Sequence, residues 1–280
     1  MKTILSITLI LSMFIGSTLL AQEFQGVATY KSQRKVDVQL DSTQMQDGMR
    51  EQIMAMLKKQ FEKEYELEFN STESLYKEVE KLDAPNGGNS WMQVQVVSTG
   101  AGDILYKNLK ENRYTSQNEV FSKQFLIQDS ILKPAWKLEK ETKNIGEYTC
   151  FKATYTRMAT IVNSIRTSDD DSLVDEGKEE EIIVTAWYTL QVPLAHGPAQ
   201  YGGLPGLILE ISDGQETILC NKIVLNPKNG ITVEEPKGGK KVNQEEFDAI
   251  MEKKMQEMEE RYESNNDDGD GERIEIRIGG

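Results

Sequence analysis

Short segments in which apolar and polar residues alternate occupy much of the chain between residues 24 and 225. Such alternation predicts strands with one buried face, and the clearest example extends from Ile182 to Val192. Turns of a few residues separate the segments, which favours antiparallel hairpins over parallel strands linked by helices. The other predicted strands are residues 24–33, 34–42, 65–80, 91–97, 103–107, 112–116, 119–127, 135–141, 147–156, 207–212 and 217–225.

Two segments have apolar residues at helical spacing instead. The first covers residues 43–63 and the second residues 244–262, and both carry a stripe rich in methionine. Asn243 and Glu246 form the capping-box pattern that opens a helix. The predicted fold class is therefore α+β but mainly β, with a single curved antiparallel sheet or an open half-barrel and one or two amphipathic helices.

The first 21 residues have the pattern of a secretory signal peptide. Lys2 precedes an apolar run from Ile4 to Leu20, and Ala21 followed by Gln22 is a suitable cleavage point. No later segment reaches the length of a membrane-spanning helix. We therefore expect an exported protein, periplasmic or associated with the outer membrane, without a transmembrane helix after cleavage.

Composition divides the rest of the chain into a body and an appendage. Residues 22–225 are expected to form one β-rich domain, interrupted by an acidic loop at 163–181 that is nearly free of apolar residues and is predicted to be mobile. Residues 226–280 read as an appendage made of a linker, the second helix and an acidic spacer. A short alternating strand at 273–278 ends this appendage.

The chain is acidic. It has 46 acidic and 32 basic residues and a net charge of −14, which becomes −15 when residues 1–21, with Lys2 as their one charge, are removed. Binding to a nucleic-acid backbone requires a basic surface, so this class of function is excluded. A solvated acidic surface without a specific partner is sufficient to account for the acidic charge.

Cys150 and Cys220 both lie in predicted strands. In an oxidising compartment they could form a disulfide. The alternative is a pair of buried thiols that pack as small apolar residues.

Residues 193–206, here the 193–206 loop, combine three of the seven prolines with four glycines. Pro205 followed by Gly206 predicts a type II turn with positive φ at Gly206, and Leu204 would project from that turn. The loop is either a corner that sets strand register, with Leu204 against the core, or a rigid docking edge. The candidate docking residues are His196, Tyr201, Gly203, Leu204, Pro205 and Gly206.

Residues 203–208 read "GLPGLI", and the sequence here resembles the GLPGLI family of exported proteins from Bacteroidota-type bacteria. The blocks "NIGEYTCFKATYT", "AWYTLQVPLAHGP" and "YGGLPGLILEISDG" follow in that family's order, after "LKPAWKLEKETKNIG". The resemblance covers about residues 130–215, but not the acidic loop or the chain beyond residue 225. It implies a cell-envelope location and association with outer-membrane transport systems, and it supplies no catalytic residues.

Recognisable catalytic and metal motifs are missing from the sequence. His196 is the only histidine, which excludes histidine pairs, and there is no nucleophile elbow or phosphate loop. Residues 266–277 begin like a calcium loop but end in Arg277 where a glutamate is required. Methionine stripes could bind Cu(I), but they more commonly pack helices. We therefore predict no metal, no cofactor and no catalytic residues.

Three classes of function remain after these exclusions. The first is a noncatalytic envelope protein that binds or assembles with an outer-membrane or periplasmic protein, through the 193–206 loop or the strand at 273–278. The second is a periplasmic carrier of a lipid or another apolar ligand, with the methionine-rich helices as a lid. The third is an enzyme whose site the sequence does not reveal, and His196 is its simplest candidate residue.

Overall fold

This computed structural model describes residues 24–35, 62–79, 104–120, 122–161, 165–166, 178–265 and 275–276. Fourteen strands and one helix lie in these ranges. The strands are β1 (Gly26–Arg34), β2 (Glu62–Phe69), β3 (Glu73–Glu78), β4 (Ile104–Asn108), β5 (Arg113–Val120), β6 (Lys123–Ser130), β7 (Lys137–Ile145), β8 (Tyr148–Ile161), β9 (Ile165–Arg166), β10 (Lys178–Thr189), β11 (Leu207–Ser212), β12 (Glu216–Leu225), β13 (Lys240–Val242) and β14 (Glu275–Ile276). The helix is α1 (Gln244–Asn265).

Twelve strands form one open sheet in the order β13-β6-β5-β4-β3-β2-β1-β12-β11-β10-β8-β7. Neighbouring strands are antiparallel except β13, which runs parallel to β6. The prediction of a mainly β, antiparallel fold is therefore confirmed at this level. The described residues contain a single helix, and that helix is not long and apolar enough to cross a membrane.

The core lies on one face of the sheet, here called the inner face, which carries Tyr30, Leu67, Ala153 and Ile211. The 193–206 loop packs against this face and contacts both halves of the sheet. Lys107 on β4 and Trp136 next to β7 both donate hydrogen bonds to the loop, although β4 and β7 stand eight places apart in sheet order. One loop is thus the common packing partner of strands that do not pair with one another.

Several predicted elements differ from the structure. The helix predicted at 43–63 lies outside the described residues except for Glu62 and Lys63, which begin β2. The strand predicted at 91–97 and residues 36–42 also lie outside them. The acidic loop predicted at 163–181 is shorter, because residues 178–181 belong to β10 and residues 165–166 form β9. Charged residues are compatible with these strand segments because Glu179–Glu181 are exposed to solvent.

Residues 226–243, predicted to be a linker, pack on the sheet instead. Glu235 accepts hydrogen bonds from Arg113 at 2.6 and 3.0 Å and from Thr115 at 2.6 Å. Since Thr115 is fully buried, this segment covers the outer face of β5 before β13 joins the sheet beside β6. The part of the appendage that precedes α1 is therefore built into the body.

The second predicted helix is present and begins as the capping box requires. Asn243 Oδ1 accepts a hydrogen bond from the Glu246 amide at 2.8 Å, and the Asn243 amide donates to Glu246 Oε2 at 3.0 Å. Phe247 then packs edge-on against Phe125, with ring centroids 5.5 Å apart. Of the terminal strand predicted at 273–278, the structure describes residues 275–276, which form β14 and pair with β9 in antiparallel register.

Candidate functional site

Leu204, expected to project from its turn, is only 1% exposed. It packs in the same core cluster as Val192 and Leu207. The Leu207 amide donates to Val192 O at 2.9 Å, so the loop leaves and re-enters the sheet at one point. Of the two interpretations of the loop, the geometry matches the strand corner with Leu204 against the core, and Leu204 is not available as a docking side chain.

Glycine is required at two positions of this loop for different reasons. Gly203 is exposed and has a φ of +82°, in the left-handed region that favours glycine. Positive φ was predicted at Gly206, and that prediction is wrong. A Cβ on Gly206 would lie 2.0 Å from Thr189 O, so this residue is glycine because the backbone of β10 approaches it closely.

Lys107 holds the loop to the sheet. Its Nζ donates to Gly197 O at 2.9 Å, Ala199 O at 2.7 Å and Tyr201 O at 2.8 Å, and the side chain is only 2% exposed. All three ammonium protons are therefore used. Burial lowers the pKa of Lys107 to about 7. Lys107 is not among the residues predicted from the sequence, although the alternation of β4 assigns it to the same face as the buried Leu105.

His196, within the 193–206 loop, is fully buried and faces the turn that joins β2 to β3. Its Nε2 lies 2.9 Å from Asn70 O, so the neutral ring must donate from Nε2, and Nδ1 is left as a buried acceptor without a partner in the described structure. Burial, with Lys107 nearby, lowers its pKa to about 3. A buried neutral imidazole in this position anchors the loop to the sheet.

The remaining candidate residues lie at the solvent side of the loop. Pro205 is exposed, and Tyr201 is half-buried. Burial raises the pKa of Tyr201, and Tyr155 and Asp213 raise it further. Trp136 Nε1 donates to Gly202 O at 2.9 Å and its ring meets Tyr155 edge-on, with centroids 4.7 Å apart.

A second group of polar and aromatic side chains lies around the turn between β11 and β12. This group, here called the open-end cluster, consists of Arg34, Trp136, Tyr155, Arg157, Tyr201, Asp213 and Glu216. The β11–β12 turn supplies the two carboxylates, and Asp213 Oδ1 fixes that turn by accepting from the amides of Gln215 at 3.0 Å and Glu216 at 2.8 Å. Arg157 Nη2 lies 3.3 Å from Asp213 Oδ2, and Arg34 Nη2 lies 3.6 Å from Glu216 Oε2. Ser32 Oγ also donates to Glu216 Oε1.

A third feature, here called the arm, consists of residues 155–161 of β8 paired with residues 178–184 of β10. β7 pairs with β8 only as far as Thr154, and β11 pairs with β10 only from Thr185. Within the described residues, neither edge of the arm pairs with another strand. Met158 and Ile183 share its outer face and are 58% and 62% exposed.

Cys150 and Cys220 are free thiols buried in the core. They lie on β8 and β12, with β10 and β11 between these strands. Three strand spacings of about 4.8 Å along the sheet exceed the roughly 7 Å that a disulfide permits between Cα atoms. The disulfide alternative is therefore not realised in this structure, and burial raises the pKa of Cys150 to about 11 and that of Cys220 to about 12.

In the ranges that the structure describes, no group of three histidine, cysteine, aspartate or glutamate side chains is placed to hold a metal ion. Most of the sequence segment that resembles the start of a calcium loop, residues 266–277, lies outside these ranges.

The chain as described is thus a mainly β protein with one large open sheet. A model of the family described as "Protein of unknown function (Porph_ging)" matches residues 136–210, which contain β7, β8, β10 and the 193–206 loop. This match is consistent with the predicted kind of family, Bacteroidota-associated and of unknown function, and leaves the GLPGLI assignment itself a prediction.

No curated protein matches the chain. Two solved structures of PNGF-II, in the C2 and P21 space groups, are similar to it, with a TM-score of 0.45 for each and sequence identities of 15% and 14%. The similar region covers 81% of this chain but only 32% and 33% of the PNGF-II chains. The chain therefore spans about a third of their length, and we draw no conclusion about activity from this similarity.

Proposed function

We propose that this protein is an exported cell-envelope protein that has no catalytic role and binds a partner protein through the arm. The arm supports this proposal because it combines two exposed apolar side chains on its outer face, Met158 and Ile183, with a β8 edge, residues 155–161, that pairs with no further strand among the described residues. Such an edge can accept an extended segment of another protein by strand addition. The resemblance to the GLPGLI family supports a partner in the outer membrane or periplasm, such as a component of an outer-membrane transport system.

The ends of the large sheet are poorer sites for strand addition. β7 alternates lysine and glutamate along most of its length, and its pairing with β8 shifts register between Leu138 and Thr142. Charges and bulges of this kind protect edge strands from further pairing. β13, at the other end, is only three residues long. By contrast, the β8 edge of the arm, residues 155–161, includes one charged residue, Arg157, whereas residues 178–181 on its β10 edge are all charged. The β8 edge is therefore the better site for strand addition.

The test is affinity purification of the tagged full-length protein from gently solubilised envelopes of its native host, followed by reconstitution with the purified partner. The double variant Met158→Glu/Ile183→Glu adds charge to the outer face of the arm and should weaken the complex at least about tenfold. Leu219→Glu is the matched control, because Leu219 is also exposed but lies on β12. Equal recovery of the partner with the parent and the double variant would contradict the proposal.

Export has a separate test. Mass spectrometry of the purified protein should find a mature chain that begins at Gln22. A chain that retains residues 1–21 would contradict this part of the proposal and leave the binding experiment intact.

The apolar-ligand carrier is the weaker alternative. A carrier needs space on the inner face, where Leu204 and His196 of the 193–206 loop are buried against the sheet. A lipid retained in stoichiometric amount after purification would favour the carrier over the partner-binding protein. An enzyme, the third class, would have to use a group other than His196 as its solvent-facing base, since this imidazole is fully buried.

A further inference from the structure

The open-end cluster contains two ion pairs that are only partly buried. The side chains of Arg34 and Glu216 are 25% and 30% exposed, and those of Arg157 and Asp213 are 34% and 17% exposed. Each guanidinium has five N–H donors, more than its ion pair requires, and each carboxylate has several acceptor positions. The cluster can thus donate and accept further hydrogen bonds while its two pairs remain electrically balanced, which favours an uncharged ligand with many hydroxyl groups.

Aromatic rings border these ion pairs. Trp136, Tyr155 and Tyr201 are half-buried in packing against the core. Tyr65 and Tyr76 stack behind Glu216, with centroids 4.8 Å apart and an interplanar angle of 14°. Half-buried aromatic side chains offer an apolar face together with a polar group, and the C–H faces of pyranose rings pack on such surfaces.

Tyr76 adds an observation that is independent of the ion pairs. Its side chain is 5% exposed, and its hydroxyl has no hydrogen-bond partner in the described structure. Glu216 and Glu78 are close enough to raise its pKa further, after the larger effect of burial. A buried hydroxyl without a partner costs free energy, so a ligand that displaces the Tyr65–Tyr76 pair far enough to reach this hydroxyl would gain a hydrogen bond.

We propose that the open-end cluster is a binding site for a neutral oligosaccharide. Trp136 and Tyr201 pack against the sugar rings, while the Arg34–Glu216 and Arg157–Asp213 pairs bind ring hydroxyl groups. The site needs no metal and no chemical step. The site shares Tyr155 and Arg157 with the arm, but their side chains lie on the face opposite Met158 and Ile183. A variant at Asp213 and Glu216 changes neither strand of the arm, so a sugar-binding defect and a partner-binding defect can be told apart.

Calorimetric titration of the mature full chain with chitohexaose, cellohexaose and mannohexaose tests this site. We expect at least one of them to bind with a Kd below about 1 mM, and the double variant Asp213→Asn/Glu216→Gln to weaken that binding at least about tenfold. Glu141→Gln is the control, because Glu141 also forms an ion pair, with Lys152 at 3.0 Å, but on the edge strand β7. Binding that is unchanged in the double variant overturns the proposal.

A second measurement needs no variant and covers the case in which the double variant does not fold. In the parent protein labelled with ¹³C-tyrosine, the bound oligosaccharide should shift the ring signals of Tyr201 and Tyr155. The absence of heat and of tyrosine shifts for all three oligosaccharides overturns the proposal. Shifts caused only by a peptide ligand assign the cluster to another class of ligand and overturn it as well.

Discussion

At the scale of single residues, Lys107 is the contact that fixes the 193–206 loop. Its three hydrogen bonds reach carbonyl groups of residues 197, 199 and 201, which lie about ninety positions further along the chain. Alternation could assign Lys107 to the inner face, but a carbonyl cage formed by a distant loop leaves no local pattern. The same limit applies to Leu204, because a turn sequence does not determine which side of the loop faces the sheet.

Replacing Lys107 by methionine should destabilise the protein by about 2–4 kcal/mol at pH 7, because three buried carbonyl groups lose their donor. The loss should increase with pH. Above pH 7 the folded lysine, with a pKa of about 7, releases its proton while the unfolded lysine, near 10.5, keeps it. The parent therefore gains stability relative to the variant, by up to about 1.4 kcal/mol per pH unit between pH 7 and pH 9.

Urea unfolding of the parent and Lys107→Met at pH 6, 7, 8 and 9 measures this difference. The shifted thiols and tyrosines are present in both proteins, so their titration cancels in the comparison. A difference in unfolding free energy that stays constant from pH 6 to pH 9 would mean that Lys107 keeps an ordinary pKa in the fold.

At the scale of elements, α1 shows which local signals can be read from sequence. Asn243 and Glu246 are three residues apart, and their reciprocal hydrogen bonds follow directly from that spacing. β13 shows the opposite case. It is three residues long and pairs with β6, more than a hundred residues earlier, so nothing within its own sequence distinguishes it from a linker.

The attachment of α1 to the sheet should depend on Phe247. This side chain is buried against Phe125, so Phe247→Ala should cost about 3 kcal/mol. Amide hydrogen exchange should then accelerate along α1 more than in β1 or β12. The exposed Glu252 on the same helix provides the control, and Glu252→Ala should change stability by less than about 0.5 kcal/mol. Unchanged exchange in Phe247→Ala would show that other contacts hold the helix.

At the scale of the whole molecule, the sequence could predict an open, mainly antiparallel sheet, because alternation and short turns are local. Strand order is not local. β1 pairs with β12 from the far end of the body, and this pairing joins the two halves of the sheet. The length of the arm cannot be predicted from the sequence for a related reason. The charged start of β10, at residues 178–181, resembles a loop in composition and becomes a strand only because β8 pairs with it.

The two cysteines test the integrity of the complete sheet, because their thiols are accessible only if it opens. Both are buried, with pKa values raised to about 11 and about 12, so little thiolate is present at pH 8. We expect two free thiols by mass and alkylation by iodoacetamide that proceeds only as fast as global unfolding. Slow labelling in buffer that becomes rapid and reaches two sites in urea would agree with a sheet that opens as one unit. A mass two units lower, or no labelling in urea, would instead reveal a disulfide and require β8 and β12 to approach each other.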